Sequence, residues 1–536
     1  MLEWPSATLY NGIRDVTDTN PDGVAVQGAE EVLTYSELLS RSEDLAQGLS
    51  DLGVGRDDTV AIWLGNRPEW IITQLAVSYL GAKVVAVNTR YRRHELEYML
   101  KDSECRAIVT EGEFLGSNYL EMLADIVPSL RDVSSDNFDP DDLPLEEVIS
   151  IAPHEEYSAV RSFGDVRARH NANPVTPSKD GARPVIVFYT SGTTGNPKGC
   201  LHSSTSVLNH SHQVGVHFSV KNEDVGLATL PLCGVMGYNF VWSTLTHGGE
   251  LVCIPYFDAE NAVNQVTDCG VTYCSATDEM FSRMIDVADE EAFSSLDKGA
   301  AFFANGYDED TFERIEDAVG FPIVQPYGSS EVNSQVFVGD PDDPQELRKG
   351  VGGPLIFPSE EAAKITDPET GEELPDGERG ELRVKGYNTL LRYLNKPEAS
   401  GEAFEDGWFK TGDLCEKDEN GYLYFHSRID DALRVRGFLV SPPEIEQAID
   451  EHPRVELSQV VGLPHPRHGE VPVAFVKGDV TSEEIQDHLS DQIADYKQPA
   501  EIEIIKEFPR TEGPHGEKIR KTDLRDQAVE LFGDSV

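Results

Sequence analysis

The chain has 536 residues, 39% of them hydrophobic and 26% charged, which is too long for one ordinary core and ample for two or more. Its 96 acidic residues face 44 basic ones, a net charge of −52 spread from Asp15 to Asp534, so nucleic acid and anionic membrane are excluded as partners. Seven scattered cysteines with no C-x-x-C pair, no basic leader ahead of an apolar stretch and no apolar run near the length of a membrane span predict a soluble, cytoplasmic protein without disulfides or stable membrane insertion. An acid excess of this kind is the pattern of a protein working in high salt, where screening relieves self-repulsion, and a salt-accumulating microbe is the expected source.

Apolar residues at helical spacing, Leu38, Leu45 and Leu49, predict a helix that ends at Gly53, and residues 71–80 predict another that ends at Gly81. Strand-like runs lie at 59–64, 83–88 and 106–110. Residues 129–183 are poor in periodicity and rich in Asp, Pro and Ser, and read as a long surface connection with a little local structure. Strands resume at 184–188, 250–254, 271–275 and 323–325. This alternation predicts an α/β fold, a large N-terminal domain of mostly parallel sheets covered by helices. Past Gly377 the short alternating strands 380–385 and 422–426 predict a small β-rich region. From Ile429 a small α+β domain is expected: a helix at 442–450, strands at 458–463 and 471–476, a helix at 482–489 and a strand at 500–505. The boundary is placed at 427–431, dividing the chain into 1–426 and 427–536; there is no internal repeat.

Residues 189–199 read Tyr-Thr-Ser-Gly-Thr-Thr-Gly-Asn-Pro-Lys-Gly, between an apolar run and a helix-like stretch from Leu201. The hydroxyls of Thr190, Ser191, Thr193 and Thr194 are donors for an anion. Gly192, Gly195 and Gly199 let the main chain approach it, and Lys198 adds a point charge. A helix N-terminus after the loop would add unpaired N–H groups. The spacing is not that of the common P-loop. A plain polar surface loop would explain any five of these residues but hardly all eleven.

Further motifs follow: Tyr327-Gly-Ser-Ser-Glu331, Gly380-Glu-Leu-Arg-Val-Lys-Gly386, Gly407-Trp-Phe-Lys-Thr-Gly-Asp413, Arg428-Ile-Asp-Asp431 through Gly437 to Ser441-Pro-Pro-Glu444, and Pro509-Arg-Thr511 with Lys518. In this order, from about Leu33 to the C-terminus, they resemble the adenylate-forming superfamily of acyl-CoA synthetases, peptide-synthetase adenylation domains and luciferases. The resemblance implies an ATP-dependent acid–CoA ligase. A carboxylic acid does not react with a thiol at neutral pH, because hydroxide is a poor leaving group. A mixed anhydride with AMP removes that obstacle, and its formation needs mainly positioning and charge neutralisation.

The resemblance also implies roles. Thr190 and Glu331 would hold Mg2+, and Ser191, Gly192, Thr193, Thr194, Gly195 and Lys198 the phosphates. Tyr327, Gly328 and Ser330 would border the nucleotide, Tyr327 by stacking on adenine, with a looser match at Asn305 and Gly306. Asp413 and Arg428 would take the ribose, and Gly437 would pass the pantetheine arm of coenzyme A. Asp430 would be the hinge of a mobile C-terminal domain. Lys518 would bridge the acyl carboxylate and the α-phosphate, with Lys521 the competitor, because the spacer before Lys518 is longer than the family's.

The segment Leu230-Pro-Leu-Cys-Gly-Val-Met-Gly237 resembles one that often carries His in place of Gly234, a ring that gates the acyl site. Tyr238 or Phe240 would substitute for that gate, or it is missing. Val235, Met236, Gly237, Tyr238 and Gly328 are expected to line the acyl pocket. No Trp follows Tyr327 to close it, so a medium-to-long-chain fatty acid or an aromatic acid is expected. Loading of a carrier protein and a degenerate nucleotide-binding relative are the rival readings, and the sequence leaves oligomerisation open. His202, His210 and His212 lie close together but lack Cys or carboxylate partners at metal-binding spacing. His465 and His468 fall in a structural turn.

Overall fold

Strand Thr59–Trp63 is buried along its whole length and pairs in parallel with Lys83–Ala86 on one side and Ala107–Thr110 on the other. A near-continuous apolar run adopts this place when helices cover both faces of a sheet. The computed structural model describes residues 3–533 except 132–142, 153–156, 170–173, 191–196, 290, 304–308, 358–361, 430–431, 436–437, 466–468, 491, 494–496 and 514–515, and the backbone alone at 434, 438, 439, 469, 511–513 and 516–518. The chain forms two compact units, Met1–Ala362 with Val384–Phe409, and Ala363–Arg383 with Lys410–Val536.

In the first unit an eight-stranded sheet runs in the order Arg392–Tyr393, Lys198–Ser203, Pro184–Thr190, Lys83–Ala86, Thr59–Trp63, Ala107–Thr110, Glu147–Ser150, Arg161–Ser162. It is parallel from Pro184–Thr190 onward and antiparallel at its first two joins. A five-stranded sheet orders Tyr273–Cys274, Val225–Ala228, Glu250–Cys253, Val24–Gln27 and Val32–Thr34, antiparallel only at the last join. The α/β architecture expected from the alternation is present. Helix Tyr35–Asp51 begins in a capping box of Thr34 and Glu37 and buries Leu38, Leu45 and Leu49. Helix Pro68–Leu80 starts on a first-turn proline and stops at Gly81 in the left-handed region, φ 71°.

Two expectations are corrected. The little local structure expected within 129–183 is not confined to the surface: Glu147–Ser150 and Arg161–Ser162 extend the main sheet. Four-residue and two-residue strands flanked by acids leave no periodic signal to read. Nor does a helix follow the 190–198 loop directly. Lys198–Ser203 returns as an antiparallel strand against Pro184–Thr190, and the helix begins only at Ser204, capped by the Ser203 hydroxyl. Strands Pro184–Thr190 and Lys198–Ser203 are therefore antiparallel neighbours, and no helix N-terminus directly follows the loop that joins them.

In the second unit residues 363–366, 380–383, 410–417 and 423–428 are strands of one sheet. A second sheet pairs Val455–His465 with Gly469–Gly478, and Glu501–Ile504 adds in parallel. Val460, Ala474 and Val476 face helices Pro442–Asp450 and Ser482–Leu489, while Val461, Val473 and Phe475 face helix Lys521–Phe532. Strand alternation thus serves two helical layers at once. Arg379 and Lys497 both pair with Glu444, and the Ser441 hydroxyl donates to His426 O at 3.0 Å. Burial alone would raise the Glu444 pKa, but these two cations outweigh it and hold the carboxylate below its ordinary value.

Two histidines of helix Ser204–His217 set an acid sensitivity. Burial pushes His210, and equally His212 beside the stacked His247 ring, down to about 4. With the folded value below the unfolded one of about 6.5, the unfolded chain binds the extra proton between those limits. Stability is thus lost as pH falls from about 6.5 toward 4, by about 1.4 kcal/mol per pH unit for fully buried His210. Urea midpoints at pH 7 and 5 in constant salt are expected to drop less for His210→Gln than for the parent. Equal drops would show that His210 titrates as if exposed.

Candidate functional site

The register of these two antiparallel strands sets Thr190 directly opposite Lys198, and the Thr190 hydroxyl lies 3.4 Å from Lys198 O. Lys198 Nζ stands over the Tyr393 ring, 5.1 Å from its centroid. On the same ring the phenol donates to Glu331 Oε1 at 3.1 Å. Glu331 sits in the short 3-10 helix Ser330–Val332, packed against Pro184–Thr190, and its carbonyl accepts from Leu390 N at 2.7 Å. Four residues from three strands and a 3-10 turn thus converge: an exposed cation, a half-buried carboxylate, a hydroxyl and the tyrosine that links them. The Glu331 charge also reaches the buried Cys200 thiol, whose pKa is raised by burial first and by Glu331 second.

Tyr393 escaped the reading of the sequence. Its only signal is an aromatic residue between the Gly386 and Gly407 motifs. Its place follows from two-residue pairing with strand Lys198–Ser203, Cys200 opposite Tyr393. Of the loop, Ser191, Gly192, Thr193, Thr194 and Gly195 lie outside the described residues, as do Asn305, Gly306, Asp430 and Gly437.

The Tyr327-to-Glu331 segment continues into Asn333, Ser334 and Gln335, three successive non-glycine residues in the left-handed region, φ 65°, 58° and 43°. Each costs roughly 1–3 kcal/mol, so the surroundings must over-determine the turn. Tyr327 leaves only 5% of its surface exposed, packed on Phe337 at 6.2 Å. A Cβ at Gly328 would come within 2.5 Å of Gln335 N and 2.6 Å of Ser334 C. Gly328 therefore permits two backbone segments to meet, and a side chain added there would run into main chain.

The stretch 234–240 is likewise mostly packing. Tyr238 is fully buried against Trp70, Phe188 and Trp242, and Phe240 against Tyr273. Both rings are buried among other aromatic side chains. Val235 is buried and Met236 half-buried. Gly234 is the N-cap of helix Val235–Leu245, and a Cβ there would meet only Pro231 O at 3.5 Å, whereas one at Gly237 would lie 2.4 Å from the same oxygen. Gly234→His is expected to keep the thermal midpoint, and Gly237→Ala to cost about 1–3 kcal/mol by overpacking. Thermal melts of the two variants check this.

In the second unit Asp413 and Arg428 are cross-strand partners, with Arg428 Nη1 2.6 Å from Asp413 Oδ1 and 3.0 Å from Thr411 O. Asp413 is 4% exposed, so its carboxylate is fixed in place. Lys518 lies in strand Gly516–Ile519 opposite Thr511, its side chain outside the described residues. Lys521 is engaged: its Nζ meets Glu446 Oε1 at 2.9 Å. His202 and His210 spend their Nε2 atoms on the carbonyls of Ser330 and Ser334, at 2.7 and 2.6 Å, rather than on a common centre. All seven cysteines are free, and among the described residues no helix is long and apolar enough to cross a membrane.

Residues 13–394 match the AMP-binding enzyme family, and residues 444–513 match the AMP-binding enzyme C-terminal domain. The 2-succinylbenzoate–CoA ligase of Bacillus anthracis (strain A0248) is 27% identical over 528 residues, which span 98% of this chain and 99% of the relative. ATP-bound MatB from Rhodopseudomonas palustris has a similar structure, with a TM-score of 0.82 at 26% identity over 98% of this chain and 100% of its own. So does the fatty acyl CoA synthetase of Mycobacterium tuberculosis, with a TM-score of 0.74 at 25% identity over 98% of each chain.

Proposed function

Because the chain belongs to the AMP-binding enzyme family, the adenylate-forming superfamily its motifs resemble, we propose that this enzyme is an AMP-forming acid–thiol ligase that joins a carboxylic acid to coenzyme A. ATP would first convert the acid to an acyl-adenylate with loss of pyrophosphate, and the thiol would then displace AMP. The observation that carries this reading is the line from Lys198 across Tyr393 to Glu331 at the base of the hydroxyl-rich loop. It sets a cation for phosphate oxygens beside a carboxylate for a metal ion. Relatives named as CoA ligase and acyl CoA synthetase, similar over nearly the whole chain, support it.

The donors offered to a metal are all oxygen, the Glu331 carboxylate and the Thr190 hydroxyl, which suits Mg2+ and not a soft ion. When bound, Mg2+ would neutralise the phosphates. The rest falls to the protein: Lys198 and the loop residues hold phosphate oxygens, Asp413 with Arg428 fixes the ribose, and Lys518 meets the charge growing at the α-phosphate. A C-terminal domain beginning near 427 and turning at Asp430 would then present Gly437 to the pantetheine arm. The acid is read as a medium-to-long-chain fatty acid or an aromatic acid, since no Trp follows Tyr327 and the stretch 235–240 is largely apolar. A cytoplasmic, high-salt setting fits the free cysteines and the acid excess.

Pyrophosphate release from ATP with a panel of acids in molar salt, with and without a chelator, tests the first step, and CoA-dependent thioester formation tests the second. Release that never leads to a CoA thioester would favour carrier-protein loading. No release with any acid would sink the ligase reading.

A further inference from the structure

Four buried side chains from four places in the fold converge on one short stretch of main chain. His202, on strand Lys198–Ser203, meets Ser330 O at 2.7 Å. Asn388 donates its Nδ2 to Val332 O at 2.9 Å, Asn239 of helix Val235–Leu245 donates to Asn333 O, and His210 of helix Ser204–His217 meets Ser334 O at 2.6 Å. All four donors are fully buried, at 0% exposure. A carbonyl can only accept, so both imidazoles carry their proton on Nε2, and their Nδ1 atoms are left without a hydrogen-bond partner.

Glu331 lies in the middle of this stretch. Its own carbonyl accepts from Leu390 N at 2.7 Å, so the carbonyls of 330, 331 and 332 are each pinned by a different part of the unit. Beyond it the left-handed run 333–335 turns its carbonyls away from any ladder, and Asn239 and His210 take up two of them. A carboxylate whose backbone is fixed on both sides and whose Oε1 is held by Tyr393 has little freedom left.

We propose that His202, Asn388, Asn239 and His210 are positioning residues for the Glu331 carboxylate, holding its backbone so that the cation it binds is presented to ATP in one geometry. This rests on the reading of Glu331 as the metal-binding carboxylate. The clamp touches neither ATP nor the acid; it acts through the main chain. A donor removed leaves a buried carbonyl unpaired, and the loop loosens before the domain unfolds.

The test uses the full chain in molar salt, with the Mg2+ concentration giving half-maximal pyrophosphate release as one readout and hydrogen exchange of peptides within 328–338 as the other. His202→Leu and Asn388→Leu are expected to raise the half-maximal Mg2+ and the exchange rate about tenfold each. His202→Gln, which keeps a donor at similar reach, is expected to restore most of both. His217 supplies the control: its Nε2 meets Gly339 O at 2.9 Å, the same kind of bond eight residues past Glu331. His217→Leu should lower the melting midpoint and leave the Mg2+ dependence alone. Should His202→Leu not fold, His202→Asn, whose donor is drawn back by one bond, carries the same expectations.

The proposal is overturned if Glu331→Gln shifts the Mg2+ dependence while the clamp variants behave like His217→Leu, since the four donors are then structural only. It is overturned differently if Glu331→Gln itself leaves the Mg2+ dependence unmoved; the failure then lies with the role of Glu331.

Discussion

Dilution from about 2 M potassium chloride into about 0.1 M is expected to abolish activity and unfold the chain, because the Debye length grows from a few Å to roughly 10 Å and like charges begin to feel one another. A net charge of −52 supplies the repulsion. The ion pairs show how thinly the cations are spread. Helix Glu309–Val319 carries Glu309, Asp310, Glu313, Glu316 and Asp317 against Arg314 alone, with acids at helical spacings of three and four. Lys349 serves both Glu309 and Glu313, at 2.5 and 3.1 Å, while Arg348 serves Glu316. Burial of Phe312 and Ile315 holds this helix down, and it has no electrostatic reserve once screening is withdrawn. Circular dichroism and pyrophosphate release, followed together through the dilution, check this. Unchanged ellipticity and full activity at low salt would mean that the acids tolerate one another without screening, and the halophilic reading would fall.

What the sequence made legible was whatever rests on local pattern. The apolar strands 59–64 and 83–88, the capped helix behind Leu38 and the helix at 482–489 all appear where periodicity puts them, because burial on defined faces dictates it. What escaped depends on pairing between distant segments. The two-residue strand that brings Tyr393 beside Cys200 is too short to leave a pattern, yet it links Lys198 to Glu331. Gly328 shows no reason in the sequence for being glycine; the reason is the close approach of its backbone to Ser334 and Gln335, which lie several residues on and turn back through the left-handed region. His202, His210 and His212 lie close together in sequence without partners at metal-binding spacing, and the sequence assigns them no role. The partners of His202 and His210 are carbonyls more than a hundred residues away, and no spacing within their own segment could reveal that.

Lys518→Ala is expected to slow acyl-adenylate formation by on the order of 10²-fold or more, as loss of one donor to a developing oxyanion does, while thioester formation from supplied acyl-adenylate survives. Lys521→Ala is expected to behave otherwise. Lys521 pairs with Glu446, which is buried and also accepts from Val460 N at 2.7 Å, so its removal strands a buried carboxylate and lowers stability without singling out either step. Asp430→Pro should spare the first step and slow the second, since a fixed φ at the proposed hinge hinders the rotation that would bring Gly437 to the pantetheine arm. Single-turnover rates of both steps for all three variants, with melting midpoints alongside, separate these roles. Equal slowing of both steps by Lys518→Ala would make that lysine structural. A selective loss of adenylation in Lys521→Ala, at unchanged stability, would transfer the catalytic role to it despite its ion pair. Thioester formation untouched by Asp430→Pro would place the hinge elsewhere or remove domain rotation from the mechanism.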